Sequence, residues 1–335
     1  MELKEAIAGH LSNIDAELSA YEVPLKIRPL RASIMFVKDY VSEVSGDDKN
    51  NFEAKPWFAI IYHHVEQWYR DHYGPAFDRD RSAIASGVVL VRDIPVEIRV
   101  LLTRSRVETP GETAWLLFPV EVAGDENPFT WLVDPPKLDK LLADERSKLT
   151  KQTTDIGTAL RAIRINLMGV EPSDNVTQGL LDGVLAELEA SARNILRNDT
   201  SGRGSALWAL QMAVERTLKA LSQHKRGSFR EIHNLFELFD DVTAHLSTID
   251  RNLLKKLPHD KQVITDRYGL GGTPTLWEAA NAYNAALEII SGISRLFKHK
   301  FYVGGGGVLL KRPPWLSLPS EDAPTNPQPP GARSK

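Results

Sequence analysis

An arginine and a histidine near residue 300 are the first candidates for chemistry in this chain. A side-chain base can accept a proton in a reaction, and a cation beside it can stabilise the negative charge that develops. Arg295 and His299 supply these residue types four positions apart, so they share one helical face. The alternative is that both solvate the end of a helix, where cations complement the helix dipole. A second pair, Arg226 and His233, crosses a predicted helix break.

Residues 201–231 are locally basic, with six basic and two acidic side chains. The whole chain has a formal net charge of −3, so any basic surface must be local. A basic patch can hold phosphates, and the alternative is an ordinary solvated helix face. The candidate ligand-binding residues here and further along the chain are Arg216, Lys219, His233, Arg267 and Tyr268. Arg216 and Lys219 are the expected phosphate contacts, whereas the other three have a structural alternative, which is to bind free backbone groups at helix ends.

The remaining polar clusters do not predict a metal site or a cofactor. His63 and Glu66 are three residues apart on a predicted helix, but the surrounding histidines lack the spacing of a zinc motif. Asp78 and Asp80 form a D-x-D pair that no Gly-Ser loop precedes, which favours a salt-bridged loop over a Mg²⁺ site. The four glycines at 304–307 lack the Lys-Ser/Thr of a phosphate loop, and the chain has no cysteine.

Apolar periodicity predicts that most of the chain is helical. Leucines and isoleucines at steps of three and four mark a first helix over residues 3–18, and Pro24 and Pro29 break the pattern before a helix resumes at residue 34. A second periodic run covers residues 57–72. No run approaches the roughly 18 apolar residues of a membrane span, and the acidic amphipathic start does not resemble a signal peptide. These features predict a cytoplasmic protein.

One region has strand character instead. Alternating β-branched residues predict an antiparallel meander over residues 84–134, with a hairpin turn at Asp93–Pro95. Further strands are expected at residues 112–122 and 129–133. The N-terminal helices are the expected cover for one face of this sheet. Four of the seven tryptophans lie between residues 57 and 131, where they form either the core beneath the sheet or an aromatic ligand pocket.

These elements define an α+β fold class that is mostly helical. We expect an α+β N-terminal domain at residues 1–135 and a connecting helix at 136–171. A helical bundle follows at 172–302, and residues 303–335 form a Gly/Pro-rich disordered tail in which a short segment near residue 309 can dock.

Four short motifs follow one another in the bundle segment. They are Glu215 with the Leu218-Lys219-Ala220-Leu221 run, then Ile232-His233-Asn234-Leu235, then Arg267-Tyr268-Gly269, and last a helix with Tyr283 and Ala286. In this order the segment from about residue 176 to 300 resembles the HEPN family, the helical "higher eukaryote and prokaryote nucleotide-binding" domains. The resemblance says nothing about residues 1–170.

The resemblance implies an antiparallel bundle of four or five helices that is often a homodimer. Some members of the family are metal-independent ribonucleases with an Arg-x(4–6)-His motif. Others lack this motif and serve as nucleotide-binding, dimerisation or partner-docking modules, often in bacterial defence or toxin-antitoxin systems. Here the Arg295–His299 spacing is one residue short of the ribonuclease motif.

The shortened spacing favours a non-catalytic role. The sequence predicts a HEPN-like protein that binds a nucleotide or RNA-like anion, or a protein partner, through its bundle and as a homodimer. An endoribonuclease and a purely structural dimerisation subunit are the alternatives. The ligand, the partner and the role of residues 1–170 do not follow from the sequence.

Overall fold

The computed structural model of the protein describes residues 3–78, 84–171, 174–246, 248–258 and 274–316. These residues are mostly helical with a small amount of antiparallel sheet, which confirms the predicted α+β class. The chain forms two compact units.

The first unit contains residues 1–81, 107–114 and 309–335. Its helices are α1 (Leu3–Ala20), α2 (Arg28–Tyr40), α3 (Pro56–Tyr73) and the short α4 (Pro75–Asp78). Their apolar faces form a core of their own, which includes Leu11, Phe36, Phe58 and Val65.

Helix α2 begins earlier than the sequence predicts. The expected break at Pro29 and restart at residue 34 are wrong, because Pro29 lies in the first turn of α2. In that turn the missing amide hydrogen of proline would have no helical partner, so proline is tolerated there.

The second unit contains residues 82–106 and 115–308. Its described residues form a hairpin, β1 (Ile84–Val91) and β2 (Ile94–Leu101), and five helices. The helices are α5 (Ala143–Met168), α6 (Asn175–Leu196), α7 (Thr200–Arg226), α8 (Leu235–Asp241) and α9 (Leu276–Ser294).

The hairpin packs on the bundle helices and belongs to the second unit. Val88, Val96 and Ile98 are buried in the same core as the bundle helices. The sequence assigned these residues to an N-terminal domain ending at residue 135, so this expectation is wrong for the hairpin. The two residues of its turn are Arg92 and Asp93. Both have positive φ, and this backbone conformation matches the twist of the strands in a two-residue hairpin. The turn predicted at Asp93–Pro95 is therefore displaced toward the N-terminus.

The predicted single meander is replaced by two separate sheets. A second, three-stranded sheet has the order β3 (Arg104–Thr109), β4 (Thr113–Leu117), β5 (Gly307–Lys311). Strand β5 lies in the predicted tail at the segment Val308–Leu310 that was expected to dock, and residues 307–311 are docked there as a strand. Residues 317–335 of the predicted disordered tail lie outside the described part of the chain.

The strand predicted at residues 129–133 is also wrong. Pro128–Trp131 forms a 3-10 turn, which begins where the Asn127 side chain accepts a hydrogen bond from the amide of Phe129. Asparagine before proline favours a turn start over a strand.

Side-chain caps set the starts of the bundle helices. Asp174 accepts from the amide of Thr177 at the start of α6, and Asp199 accepts from Gly202 at the start of α7. Thr275 and Glu278 form a reciprocal capping box at the start of α9. These caps fix where each helix begins, and so which residues face the core.

Helices α7 and α9 run in the same direction. The guanidinium of Arg203, early in α7, donates to the carbonyl of Pro274 just before α9. At the other end, the amide of Lys298 donates to Nε2 of His224 near the end of α7. The connection between α7 and α9, which includes α8, therefore returns the chain to the starting end of the bundle.

Tyr283 of α9 is fully buried beside the hairpin. Gly87 of β1 makes room for it, since a Cβ on Gly87 would lie 3.0 Å from the Tyr283 hydroxyl. This hydroxyl has no hydrogen-bond partner among the described residues, and burial raises its pKa above the ordinary value. Tyr283 thus contributes apolar contacts rather than a polar interaction.

Tyr283→Phe should therefore leave the free energy of unfolding unchanged or raise it by up to about 1 kcal/mol, because it removes an unpaired buried hydroxyl. Urea unfolding followed by circular dichroism measures the change. Tyr283→Leu is the control and should destabilise, since it removes ring volume from the core. A loss of more than about 1 kcal/mol in the Phe variant would show that the hydroxyl makes a hydrogen bond after all.

Candidate functional site

The junction between α7 and α8 holds a cluster of three charged or titratable side chains. The carboxylate of Glu215 lies 2.7 Å from Nζ of Lys219 and 3.1 Å from Nδ1 of His233. Glu215 and Lys219 are buried on α7, whereas the His233 side chain is 70% exposed. The structure thus brings together two predicted site residues, Lys219 and His233, around a carboxylate between them.

Neighbouring residues fix the position of this cluster. Gln211, one turn before Glu215, donates from Nε2 to the carbonyl of His233 at 2.9 Å. Asn234 accepts from the amides of Phe236 and Glu237 and so starts α8 immediately after His233. The Asn234 contacts are those of a helix N-cap, and the Gln211 bond holds the backbone just before it, so the backbone at His233 is fixed by the start of α8.

The charges of the cluster are compensated internally. Lys219 pairs with Glu215 four residues earlier on the same helix, and its ammonium lies over the ring of Phe229 at 5.6 Å. An anion that approached Lys219 would be repelled by the Glu215 carboxylate, which lies at hydrogen-bond distance from the Lys219 ammonium. In the sequence Glu215 is part of one of the ordered motifs, and Lys219, four positions further on between the apolar residues Leu218 and Ala220, is the signal that its carboxylate has a partner on the same helix.

Arg216 lies on a different face of α7 and does not join this cluster. Its guanidinium packs over Gly183 of α6, where a Cβ would lie 2.2 Å from Nη1. Nη2 is 4.0 Å from the Glu187 carboxylate, and the Arg216 side chain is 39% exposed. Arg216 is therefore a loosely paired residue of the α6–α7 interface.

Arg295 and His299 have different surroundings in the structure. Nε2 of His299 lies 3.0 Å from the carbonyl of Asn166, close to the end of α5, and residue 299 also bridges to Val170 through its backbone. Arg295 follows the end of α9, is exposed, and has no side-chain partner among the described residues. A general base needs hydrogen-bond reach to the proton it removes, and here the ring nitrogen is held against a backbone carbonyl.

The residues around His299 connect the chain after α9 to the ends of α5 and α7 at one end of the bundle. Lys298 pairs with Glu171 at 2.6 Å, and this contact lowers the pKa of Glu171. His224 accepts the Lys298 amide proton, and its burial, with the charges of Lys225 and Lys298, lowers its pKa. His224 is therefore neutral near pH 7, with its proton on Nδ1. This arrangement indicates that residues 298–300 have a structural role.

Two of the predicted ligand-binding residues, Arg267 and Tyr268, lie outside the described residues, as does Asp80. Within the described ranges, no group of three or more histidine, aspartate or glutamate side chains is placed to hold a metal ion. Nor does any helix of the described part have the length and apolarity needed to cross a membrane.

The bundle that carries these residues defines the class of the C-terminal part. Residues 188–296 match the model of the HEPN domain, which confirms the resemblance inferred from the ordered motifs. The match begins within α6 and ends just beyond α9, so it covers the Glu215 cluster and Arg295 but neither His299 nor the hairpin. No curated protein and no solved structure matches the chain significantly.

Proposed function

We propose that the HEPN-like bundle is a non-catalytic binding module whose ligand is a protein partner. The observation that carries this proposal is the internal compensation of the cationic residues at the α7–α8 junction. Lys219 is buried against Glu215, and His233 shares the same carboxylate. A phosphate-binding site needs cations that are free to make charge-assisted hydrogen bonds, and these two already have a carboxylate partner.

The contacts of His299 support the non-catalytic part of the proposal. The Asn166 carbonyl holds its ring, while Arg295 is exposed without a partner among the described residues. Cleavage of RNA would need both groups within reach of one phosphate. The homodimer and the bacterial defence or toxin-antitoxin setting that the family resemblance implies remain predictions.

We therefore expect purified protein to leave mixed RNA intact in the absence of metal ions, because among the described residues His299 is hydrogen-bonded to the Asn166 carbonyl and does not pair with Arg295. Electrophoresis of the RNA after incubation measures this, with a chelator present. Arg295→Ala and His299→Ala are the matched variants, and neither should change the background. Cleavage by the wild type that both variants lose would contradict the proposal and establish a ribonuclease.

A nucleotide or RNA ligand is the second candidate, which the HEPN match favours at the level of the family. Binding to the folded state raises the melting temperature by mass action. A melting temperature that rises with added nucleotide or short RNA, and falls back with salt, would replace the protein partner with an anion.

A further inference from the structure

Strand β5 is an apolar strand at the edge of the three-stranded sheet. In the described part of the chain it pairs only with β4. Val308, Leu309 and Leu310 are 50%, 44% and 47% exposed, although consecutive side chains of a strand point to opposite faces. Neither face of β5 is therefore fully covered by described residues. Consecutive exposed apolar residues on a free edge are a template for pairing with another chain.

Two backbone hydrogen bonds show which groups of β5 face the free edge. The amide of Phe118 donates to the carbonyl of Gly306, and the amide of Arg312 donates to the carbonyl of Glu112. The two bonds are six residues apart on both strands, so β5 is antiparallel to β4 without a bulge between them. The direction of the backbone groups alternates along such a strand. The residues of β5 whose amide and carbonyl point to the free edge are therefore Gly307, Leu309 and Lys311.

These outward groups are complementary to themselves under a twofold axis. In an antiparallel pair with Leu309 opposite Leu309 of a second copy, Gly307 lies opposite Lys311, and each outward amide has a carbonyl acceptor in the other copy. The same register places Val308 opposite Leu310 on one face and the two Leu309 side chains together on the other. Apolar residues thus meet apolar residues, and the two lysines stay apart.

The other edge of the sheet and the C-terminal residues are poorer partners for β5. Strand β3, at the opposite edge, carries Arg104, Arg106 and Glu108, and charged side chains on an edge strand oppose further pairing. A contact between β5 and the β3 of another copy would set these charges against leucines. Residues 317–335 contain five prolines, which lack the amide that a strand ladder needs. These comparisons select a second β5 strand as the occupant.

We propose that two copies of this chain associate by antiparallel pairing of their β5 strands, with Leu309 at the twofold axis, so that the two sheets become one. The contact involves only the five residues of β5 in each copy, so the dimer is reversible and forms at micromolar concentration. Strand β5 lies outside residues 188–296. This surface is therefore distinct from the HEPN-like bundle and from the docking role proposed for it.

A single cysteine at position 309 tests the register directly, because the chain has no cysteine of its own. Residues opposite each other in a hydrogen-bonded antiparallel pair have Cα atoms about 5.5 Å apart, which is within the range of a disulfide. We expect Leu309→Cys, treated with a mild oxidant, to give a covalent dimer on non-reducing denaturing electrophoresis. Val107→Cys is the matched control at an exposed apolar position of β3, and it should stay monomeric.

Sedimentation velocity of the full chain over about 1 to 100 μM measures the dimer without a cross-link. Leu309→Lys should weaken it at least about tenfold, since two ammonium groups replace two leucines at the axis. Leu309→Pro should also weaken it, because proline removes an outward amide and leaves the hydrogen bonds to β4. Val107→Lys is the control and should keep the wild-type affinity. Melting curves followed by circular dichroism check that each variant is folded.

The proposal is overturned if the wild type stays monomeric over this range, or if Leu309→Cys cross-links no more than Val107→Cys. A dimer whose affinity is unchanged in Leu309→Lys and Leu309→Pro would also overturn it, because the contact would then lie elsewhere in the chain. None of these outcomes bears on RNA cleavage or on partner binding by the bundle. The failure of this proposal and the failure of the proposed function are therefore distinguishable.

Discussion

Replacing Arg161 with methionine should lower the free energy of unfolding of the bundle unit by about 3–5 kcal/mol, the cost of breaking one side of a buried ion pair. Arg161 of α5 is fully buried, and its guanidinium binds both carboxylate oxygens of Glu126, at 2.8 and 2.6 Å. It also donates to the carbonyls of Leu101 and Glu121. Urea unfolding monitored by circular dichroism measures the loss.

The expected loss comes mainly from the groups left behind. Methionine fills most of the volume but donates no hydrogen bond. The Glu126 carboxylate then keeps only the amide of Ala123 and the guanidinium of Arg104 at 3.8 Å, and two carbonyls lose this donor in a buried position. The Arg161 guanidinium also lies 5.1 Å from the Trp131 ring, a contact that methionine replaces only in part. Arg161 thus ties α5 to the end of β2 and to the loop before Trp131.

The double variant Arg161→Met with Glu126→Gln is the control for this explanation. It should recover part of the loss, because the uncompensated charge is gone. Arg99→Met, which breaks the largely exposed pair with Glu97, should cost less than about 1 kcal/mol. A loss below about 1 kcal/mol for Arg161→Met would mean that water or another donor reaches Glu126.

The Arg161–Glu126 ion pair should also make the stability depend on pH. Burial is the largest single influence and by itself would raise the pKa of Glu126. The hydrogen bonds from Arg161 and from the amide of Ala123, together with the charges of Arg161 and Arg104, outweigh it, so the net pKa is lowered. A lowered folded-state pKa gives stability that is present above the unfolded pKa of about 4.3 and is lost as the pH falls through the folded value. The wild type should therefore lose more stability on acidification below about pH 5 than Glu126→Gln does.

The second large effect is expected at Glu215. Glu215→Met should lower the free energy of unfolding by about 3 kcal/mol, because it leaves the ammonium of Lys219 buried without its carboxylate. The substitution should also release the His233 side chain. Its Nδ1 has no partner among the described residues apart from this carboxylate. Urea unfolding measures the first change, and the NMR chemical shifts of the histidine ring measure the second.

Glu187→Met provides the matched control for Glu215. Glu187 faces Arg216 at 4.0 Å in a more exposed pair, so its loss should cost less than about 1 kcal/mol. The double variant Glu215→Met with Lys219→Met should be more stable than Glu215→Met alone, since no charge remains buried. If nucleotide affinity instead rises in Glu215→Gln, the cluster serves an anion and the proposed protein-docking role is wrong.

The sequence predicted the helical elements well where the pattern is local. The apolar steps of three and four residues in α1 and α3 follow from each segment alone. The ordered motifs around Glu215, His233 and Tyr283 predicted the HEPN resemblance that the family match confirms. Element boundaries were less predictable: Pro29 is compatible both with a break and with a first helical turn, and the sequence does not distinguish them.

The site was less predictable than the helices, because its contacts join distant residues. Arg161 and Glu126 are 35 positions apart, and the signal in the sequence was only an arginine inside the apolar run from Leu160 to Ile163. The groove between α5, α9 and residues 248–253 was not predicted at all, because it exists only where these distant segments pack together.

The sequence by itself determined which faces of the helices are apolar and in which order the HEPN-like motifs follow, because periodicity and capping act within a few residues. Only the tertiary structure decided that the hairpin covers the bundle, that Glu215 lies between Lys219 and His233, and that Arg295 and His299 have different surroundings. Burial and charge pairing between distant segments depend on how all helices pack together. For this reason a spacing of four residues could suggest a catalytic pair, while the packing around Asn166 gave His299 a structural partner.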